Sequence, residues 1–253
     1  MDFLQAVALL AAGMVAGAIN AIVGSGTLIT FPTLLAFGYP SVLANVTNTI
    51  GLVPGSVAGA IAYRRELATQ RERVLRLAGA STLGGIGGAL LLLELPGSAF
   101  DAIVPVLILL GCTLVVVQPW LSRRVAERRG DATRSAHGGV LVVVLVFATG
   151  IYGGYFGAAQ GVLLMAIMGI LIAEDLQRLN AVKNVLAGLV NFVAAIVFIL
   201  ASHVAWDAAL LIAAGSTVGG SLGGRYGRRL PPWALRAFIV VVGTVAAVRL
   251  LLT

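Results

Sequence analysis

Apolar runs recur from one end of this chain to the other, and they leave few folds open. They lie at 3–23, 27–37, 41–63, 74–94, 99–121, 138–153, 156–173, 179–201, 206–225 and 233–252. A helix needs about 20 consecutive apolar residues to cross a bilayer, and in lipid only helices and closed barrels satisfy their own backbone groups. Most of these runs are long enough, so helices are predicted to do the spanning. Of the 253 residues, 59% are hydrophobic and only 11% charged. Soluble domains carry about 45–50% and roughly 25%. That excludes a water-soluble enzyme, and a disordered chain as well. The expected fold is an all-α polytopic membrane protein without a soluble domain.

Three runs are poor spans. Residues 27–37 are short, and 138–153 and 156–173 are joined through a glycine-rich stretch. Such pieces read as broken or re-entrant helices. The net charge of +7 follows topology rather than nucleic acid. Arginines cluster at 64–76, 122–137 and 225–236, and the positive-inside rule makes these loops cytoplasmic. The loops near Glu94 to Asp101 and His203 to Asp207 lack Arg and Lys, which puts them and both termini outside. Met1-Asp2-Phe3-Leu4 has no basic lead, so residues 3–23 read as a retained span and not a cleaved signal. Cys112 stands alone and His137 and His203 fall near loops, so no metal site and no cofactor are expected.

A shift of 135 residues superimposes one part of the chain on another. Ser81-Thr82-Leu83-Gly84-Gly85 falls on Ser216-Thr217-Val218-Gly219-Gly220, Gly88 on Gly223, Leu95-Pro96 on Leu230-Pro231, and Asn45 on Asn180. The chain then divides into a first membrane repeat (1–121), a basic linker (122–137) and a second repeat (138–253). Glu94 falls on Arg229 and Asp101 on Arg236, so equivalent loops carry opposite charge and are expected on opposite sides. That is the pattern of inverted-topology repeats, common in secondary transporters. A duplicated channel or scaffold has the same architecture.

In such folds the substrate site lies near the midplane, where helices break. Two stretches fit: Gly17 to Thr27, with Asn20, Gly24, Ser25, Gly26 and Thr27, and Gly150 to Gly161, with Tyr152, Gly157, Gln160 and Gly161. Gly24 falls on Gly157 at the shorter offset of 133. A glycine turn opening a half-helix leaves N–H groups at a positive helix end, which favours an anion. Gly84 to Gly88 and Gly219 to Gly224 read instead as close helix packing. A polar cluster follows each break: Asn45, Thr47 and Asn48 in one half, Asn180, Lys183 and Asn184 in the other. These side chains fit an oxyanion, or bonds across helices. Asn191 falls on Ser56 and is a weaker candidate.

Lys183 is the only lysine, one turn or so into an apolar helix. A cation there is costly and marks either a site or a side chain that snorkels toward Glu174, Asp175 and Arg178. All ten carboxylates fall near loops or segment ends, so the expected interior is neutral or slightly positive and suits a small anionic substrate. There is no catalytic constellation for nucleophilic or metal-assisted chemistry.

The run Gly17-Ala18-Ile19-Asn20-Ala21-Ile22-Val23-Gly24-Ser25-Gly26-Thr27, continuing through Leu35, resembles the first repeat of the sulfite exporter TauE/SafE family, as do Ala44 to Asn48 and Tyr63 to Leu67. Gly150 to Gly161, with Asn180 to Lys183 and Asn191, resembles its second repeat. The resemblance implies a polytopic inner-membrane transporter for small sulfur-containing anions, sulfite or organosulfonates such as sulfoacetate. A passive anion channel and, further off, a membrane-embedded enzyme are the rival readings. Homo-oligomerisation stays open.

Overall fold

In a computed structural model the described residues are 1–127, 139–227 and 232–252, and they are helical almost throughout. Arg128, Arg129, Arg134, His137, Arg228, Arg229, Leu230 and Pro231 lie outside them. The first half runs α1 (Phe3–Ile22), α2 (Thr27–Ala36), α3 (Ser41–Ala62), α4 (Arg64–Leu67), α5 (Arg71–Glu94) and α6 (Gly97–Glu127). The second runs α7 (Val140–Tyr155), α8 (Gln160–Leu171), α9 (Leu176–Ala201), α10 (Trp206–Tyr226) and α11 (Pro232–Leu252). Apart from the four-residue α4, each half has five helices, the second of them shorter than the rest.

Local chemistry sets the ends. Asp2 and Gln5 form a reciprocal capping box, with the Gln5 amide donating to Asp2 Oδ1 at 2.7 Å. Asp175 caps α9 by accepting from the Gln177 amide at 2.8 Å. The first break turns at Gly24, whose φ is +89°, and the second at Gly157 (+78°) and Ala159 (+58°). The second interruption therefore covers 156–159, a few residues later than the expected gap after 153. The end of α6 enters the expected linker, so 122–127 continue the helix.

Phe3–Ile22, Arg71–Glu94, Gly97–Trp120, Leu176–Ala201 and Trp233–Leu250 are long and apolar enough to cross a membrane. Helix α2 and helices α7 and α8 are shorter apolar pieces. Lipid-facing apolar side chains and buried small ones divide the surface from the interior. Leu83, Val106, Val140, Leu200 and Val245 are exposed, while Gly84, Gly88, Gly219 and Gly223 are buried.

Those glycines let backbones meet. A Cβ on Gly219 would overlap the Met14 carbonyl, and one on Gly88 would overlap the Ile151 carbonyl. Without a hydrophobic force between helices in lipid, such close approach is what packing draws on. The order of contacts also gives direction. Gly13 meets Ile212, Gly17 meets Ser216, and Ala18 meets Gly223, so α1 and α10 run the same way. Gly51 meets Ile212 and Gly55 meets Ser216, so α3 joins them. Gly84 meets Phe147 and Gly88 meets Tyr155, so α5 and α7 also run parallel to each other. Gly85 against Val190, with Ser81 bonded to Leu186, sets α9 beside α5. The interior thus holds two triplets, α1/α3/α10 and α7/α9/α5. Each takes two helices from one half and the third from the other. Helices α6 and α11 pack on each other at the periphery.

Candidate functional site

The breaks bring backbone ends of both signs into the core. Helix α1 ends at Ile22 and α2 folds back beside it, with Gly26 against Ala16. In α2 the Leu28 amide donates to the Ser25 carbonyl at 3.2 Å and the Ile29 amide to Gly26 at 3.0 Å. The amides of Ser25, Gly26 and Thr27 precede these bonds and form the positive end of the half-helix. Ser25 and Thr27 are buried there. Across from them, the Gly161 amide donates to the Gly24 carbonyl at 3.0 Å, so the two interruptions touch.

The negative ends are held by side chains. The Ala21 carbonyl, in the last turn of α1, accepts from Asn180 Nδ2 at 3.3 Å, Asn184 Nδ2 at 3.2 Å and Lys183 Nζ at 3.3 Å. Lys183 Nζ also donates to the Asn20 carbonyl at 2.9 Å. The Lys183 side chain is wholly buried and does not snorkel. An ammonium at a helix C-terminus meets the negative end of the macrodipole, which offsets part of its desolvation. The second break repeats the motif with one neutral partner: Asn45 Nδ2 donates to the Tyr155 carbonyl at 2.9 Å. Asn45 and Asn180 are equivalent at the 135 offset, and each holds the broken helix of the other half.

The remaining candidates divide. Asn48, the counterpart of Lys183, bonds Thr30 and donates to Thr27 Oγ1 at 3.4 Å, tying α3 to the half-helix α2. The Tyr152 hydroxyl donates to the Ala158 carbonyl at 2.6 Å and closes the second break on itself. Gln160 opens α8 and packs on Gly153. Thr47 stands apart, since its Oγ1 accepts from the Ala205 amide at 3.2 Å and braces the α9–α10 connection. Ser25 Oγ, Gln160 Nε2, Asn45 Oδ1 and Asn180 Oδ1 are buried without a partner among the described residues. Lys183 and Arg73 are the buried charged side chains among those residues. Sequence reasoning gave little weight to Ser56 and Asn191, although Asn191 and Asn20 both donate to the Ser56 hydroxyl, because the two half-sites become neighbours only in the folded chain.

Arg73 marks one rim. It pairs with Glu174 at 3.1 Å between α5 and the α8–α9 connection, and Gln70 Nε2 donates to the same carboxylate at 3.0 Å. Burial pushes the Glu174 carboxyl upward. The bonds from Gln70, the Asp175 amide and Arg73 together outweigh it and hold the pKa at about 2.

Residues 9–250 match the sulfite exporter TauE/SafE family. The chain belongs to that family. Relatives align over most of the length of both chains. A protein of Escherichia coli strain K12 named "probable membrane transporter protein YfcA" is 27% identical over 94% of this chain and 86% of the relative. The "probable membrane transporter protein ORF9" of a Sinorhizobium species is 28% identical over 96% and 91%. A "probable membrane transporter protein" of Haemophilus influenzae is 26% identical over 91% and 88%. No solved structure matches the chain. With its membrane-length helices, this TauE/SafE member is a multi-pass membrane transporter. The family and these relatives are named as transporters rather than enzymes.

Proposed function

We propose that the protein exports small sulfur-containing oxyanions, sulfite or organosulfonates such as sulfoacetate, across the cell membrane by alternating access. The observation that carries the anion is the charge of the interior. Lys183 is buried with its Nζ on the C-terminal carbonyls of α1 and its side chain against Gly161 at the start of α8, and the buried residues described include no carboxylate. The family name supports a sulfur anion. The guest enters the polar interior that the candidates Asn20, Gly24 to Thr27, Asn45, Asn48, Gly157, Gln160, Gly161, Asn180, Lys183 and Asn184 furnish.

Alternating access follows if the halves are inverted repeats, exchanging conformations across a pseudo-two-fold axis in the membrane plane. Helix directions support this. Helix α1 runs with α10 and α7 runs with α5, the 135-residue counterpart of α10, so each half lends its fourth element, α4 aside, to the other. The bond from Ser81 Oγ to the Leu186 carbonyl and that from Ser216 Oγ to the Gly51 carbonyl also exchange under the offset. The basic loops at 64–76 and 225–236 face the cytoplasm in this reading, and both termini face outward. Counterflow in proteoliposomes tests the proposal. Internal unlabelled sulfite should accelerate uptake of labelled sulfite. Uptake indifferent to internal substrate would point to a channel.

A further inference from the structure

Ser56 and Asn191 are 135 residues apart, the repeat offset, so they hold the same place in their two halves. They are also bonded to each other, Asn191 Nδ2 donating to Ser56 Oγ at 3.4 Å. Two equivalent residues touch only where the axis relating their halves passes between them. Asn20 Nδ2 donates to the same oxygen at 3.3 Å, and Ser56 Oγ donates to the Leu52 carbonyl at 3.0 Å. The serine is thereby saturated, while each asparagine amide has two hydrogens and uses one here.

Exposure separates this cluster from the breaks. Lys183, Asn45 and Asn48 are wholly buried, but Asn20 and Asn191 are only half-buried. Asn191 lies well inside the 26-residue α9. A partly open amide at that depth is costly against lipid, and such polar groups face an interior or a water-filled cavity. Lys183 stands behind the opening, its Nζ on the Asn20 carbonyl at 2.9 Å.

We propose that the transported oxyanion rests at this axis, its oxygens accepting the spare N–H groups of Asn20 and Asn191 with the Lys183 charge one residue behind. The inference rests on the transporter reading above and adds the place and the residues. Its logic is that of the carrier: when inverted halves exchange conformations, off-axis residues exchange surroundings, but an axial pair keeps its partner. A guest held there meets the same donors from either side.

The test is a thermal-shift titration of the full-length protein in detergent with sodium sulfite and sodium sulfoacetate, against sodium chloride. The wild type should be stabilised by a sulfur anion. Asn191→Asp should lower apparent affinity about tenfold or more, with the unliganded melting temperature little changed, because one charge-assisted bond becomes repulsion. Asn191→Ser should also weaken binding. The exchange Ser56→Asn with Asn191→Ser should bring affinity back to within about threefold of wild type. An exchange variant that folds and binds no better than Asn191→Ser overturns the axial site. So does Asn191→Asp binding normally while Gln160→Ala loses the shift, which moves the guest to the breaks and leaves the transporter reading standing. A wild type that neither anion stabilises defeats the anion reading, and this site with it.

Discussion

The Gly161 amide donates to the Gly24 carbonyl at 3.0 Å, a direct backbone bond between the two interruptions of the membrane helices. Gly24 has a φ of +89°, and a Cβ there would stand 2.5 Å from the Gly161 Cα. Gly157 also has positive φ (+78°), but its Cβ would find the Gly153 carbonyl at 3.1 Å and Thr27 Oγ1 at 3.8 Å. Gly24→Ala should therefore cost both the left-handed backbone, about 1–2 kcal/mol, and overpacking, about 1–3 kcal/mol. Gly157→Ala should show mainly the first. Unfolding in detergent measures both, and equal losses would count against the tip contact.

Lys183 bridges the Asn20 and Ala21 carbonyls from within the core. Lys183→Ala should reduce sulfite affinity about tenfold, since it removes the buried positive charge nearest the breaks. Its cost to folding should be smaller, because Asn180 and Asn184 still donate to Ala21. Binding by thermal shift and unfolding of the apo protein separate the two. Unaltered affinity would leave Lys183 a purely structural cap.

Gly157→Leu should abolish transport at near-normal expression. The first Cβ contacts there are looser than at Gly24, and the larger side chain would enter the space toward Thr27. Expression blots and counterflow in proteoliposomes check it. A variant that fails to accumulate would mean that Gly157 serves packing alone.

Ser81→Ala and Ser216→Ala should cost similar, small amounts, about 0.6 kcal/mol each as for other interhelical hydrogen bonds in lipid. Each serine donates to a carbonyl at the equivalent place in the opposite half, at 3.1 Å and 2.8 Å. Paired unfolding curves would show it. A difference above about 1 kcal/mol would speak against equivalent surroundings.

The Arg73–Glu174 pair gives a pH signature. With Glu174 held at about 2, below the ordinary 4.5, the unfolded chain binds more protons than the folded one in between. This stabilising contribution is complete above about pH 4.5 and fades as pH falls toward 2. Melting temperature against pH should drop across that window in the wild type and less steeply in Glu174→Gln. Identical slopes would show that other carboxylates dominate.

The ends of most helices were legible in the residues. Gly24 and Gly157 announce turns because a helix cannot pass through positive φ, and the runs between charged loops match α1, α3, α5 and α9 within a few residues. The second interruption falls later than the residues suggest, because Gly150 and Gly154 look like a break and instead receive the backbone of α5, while Gly153 takes the Gln160 side chain. Thr47 read as part of the polar cluster, since a linear pattern does not tell which face of α3 meets the Ala205 connection.

Hydropathy over short stretches decided that this chain lives in a membrane as helices, because the cost of bare backbone in lipid acts on each segment separately. The offset likewise paired residue with residue. Which half holds which broken end was decided only by tertiary packing. Asn45 reaches Tyr155 and Asn180 reaches Ala21 because packing of the two halves, with the two breaks touching at Gly24 and Gly161, sets each asparagine beside the broken helix of the other half. That closeness depends on the shape of both partners at once, and no single segment contains it.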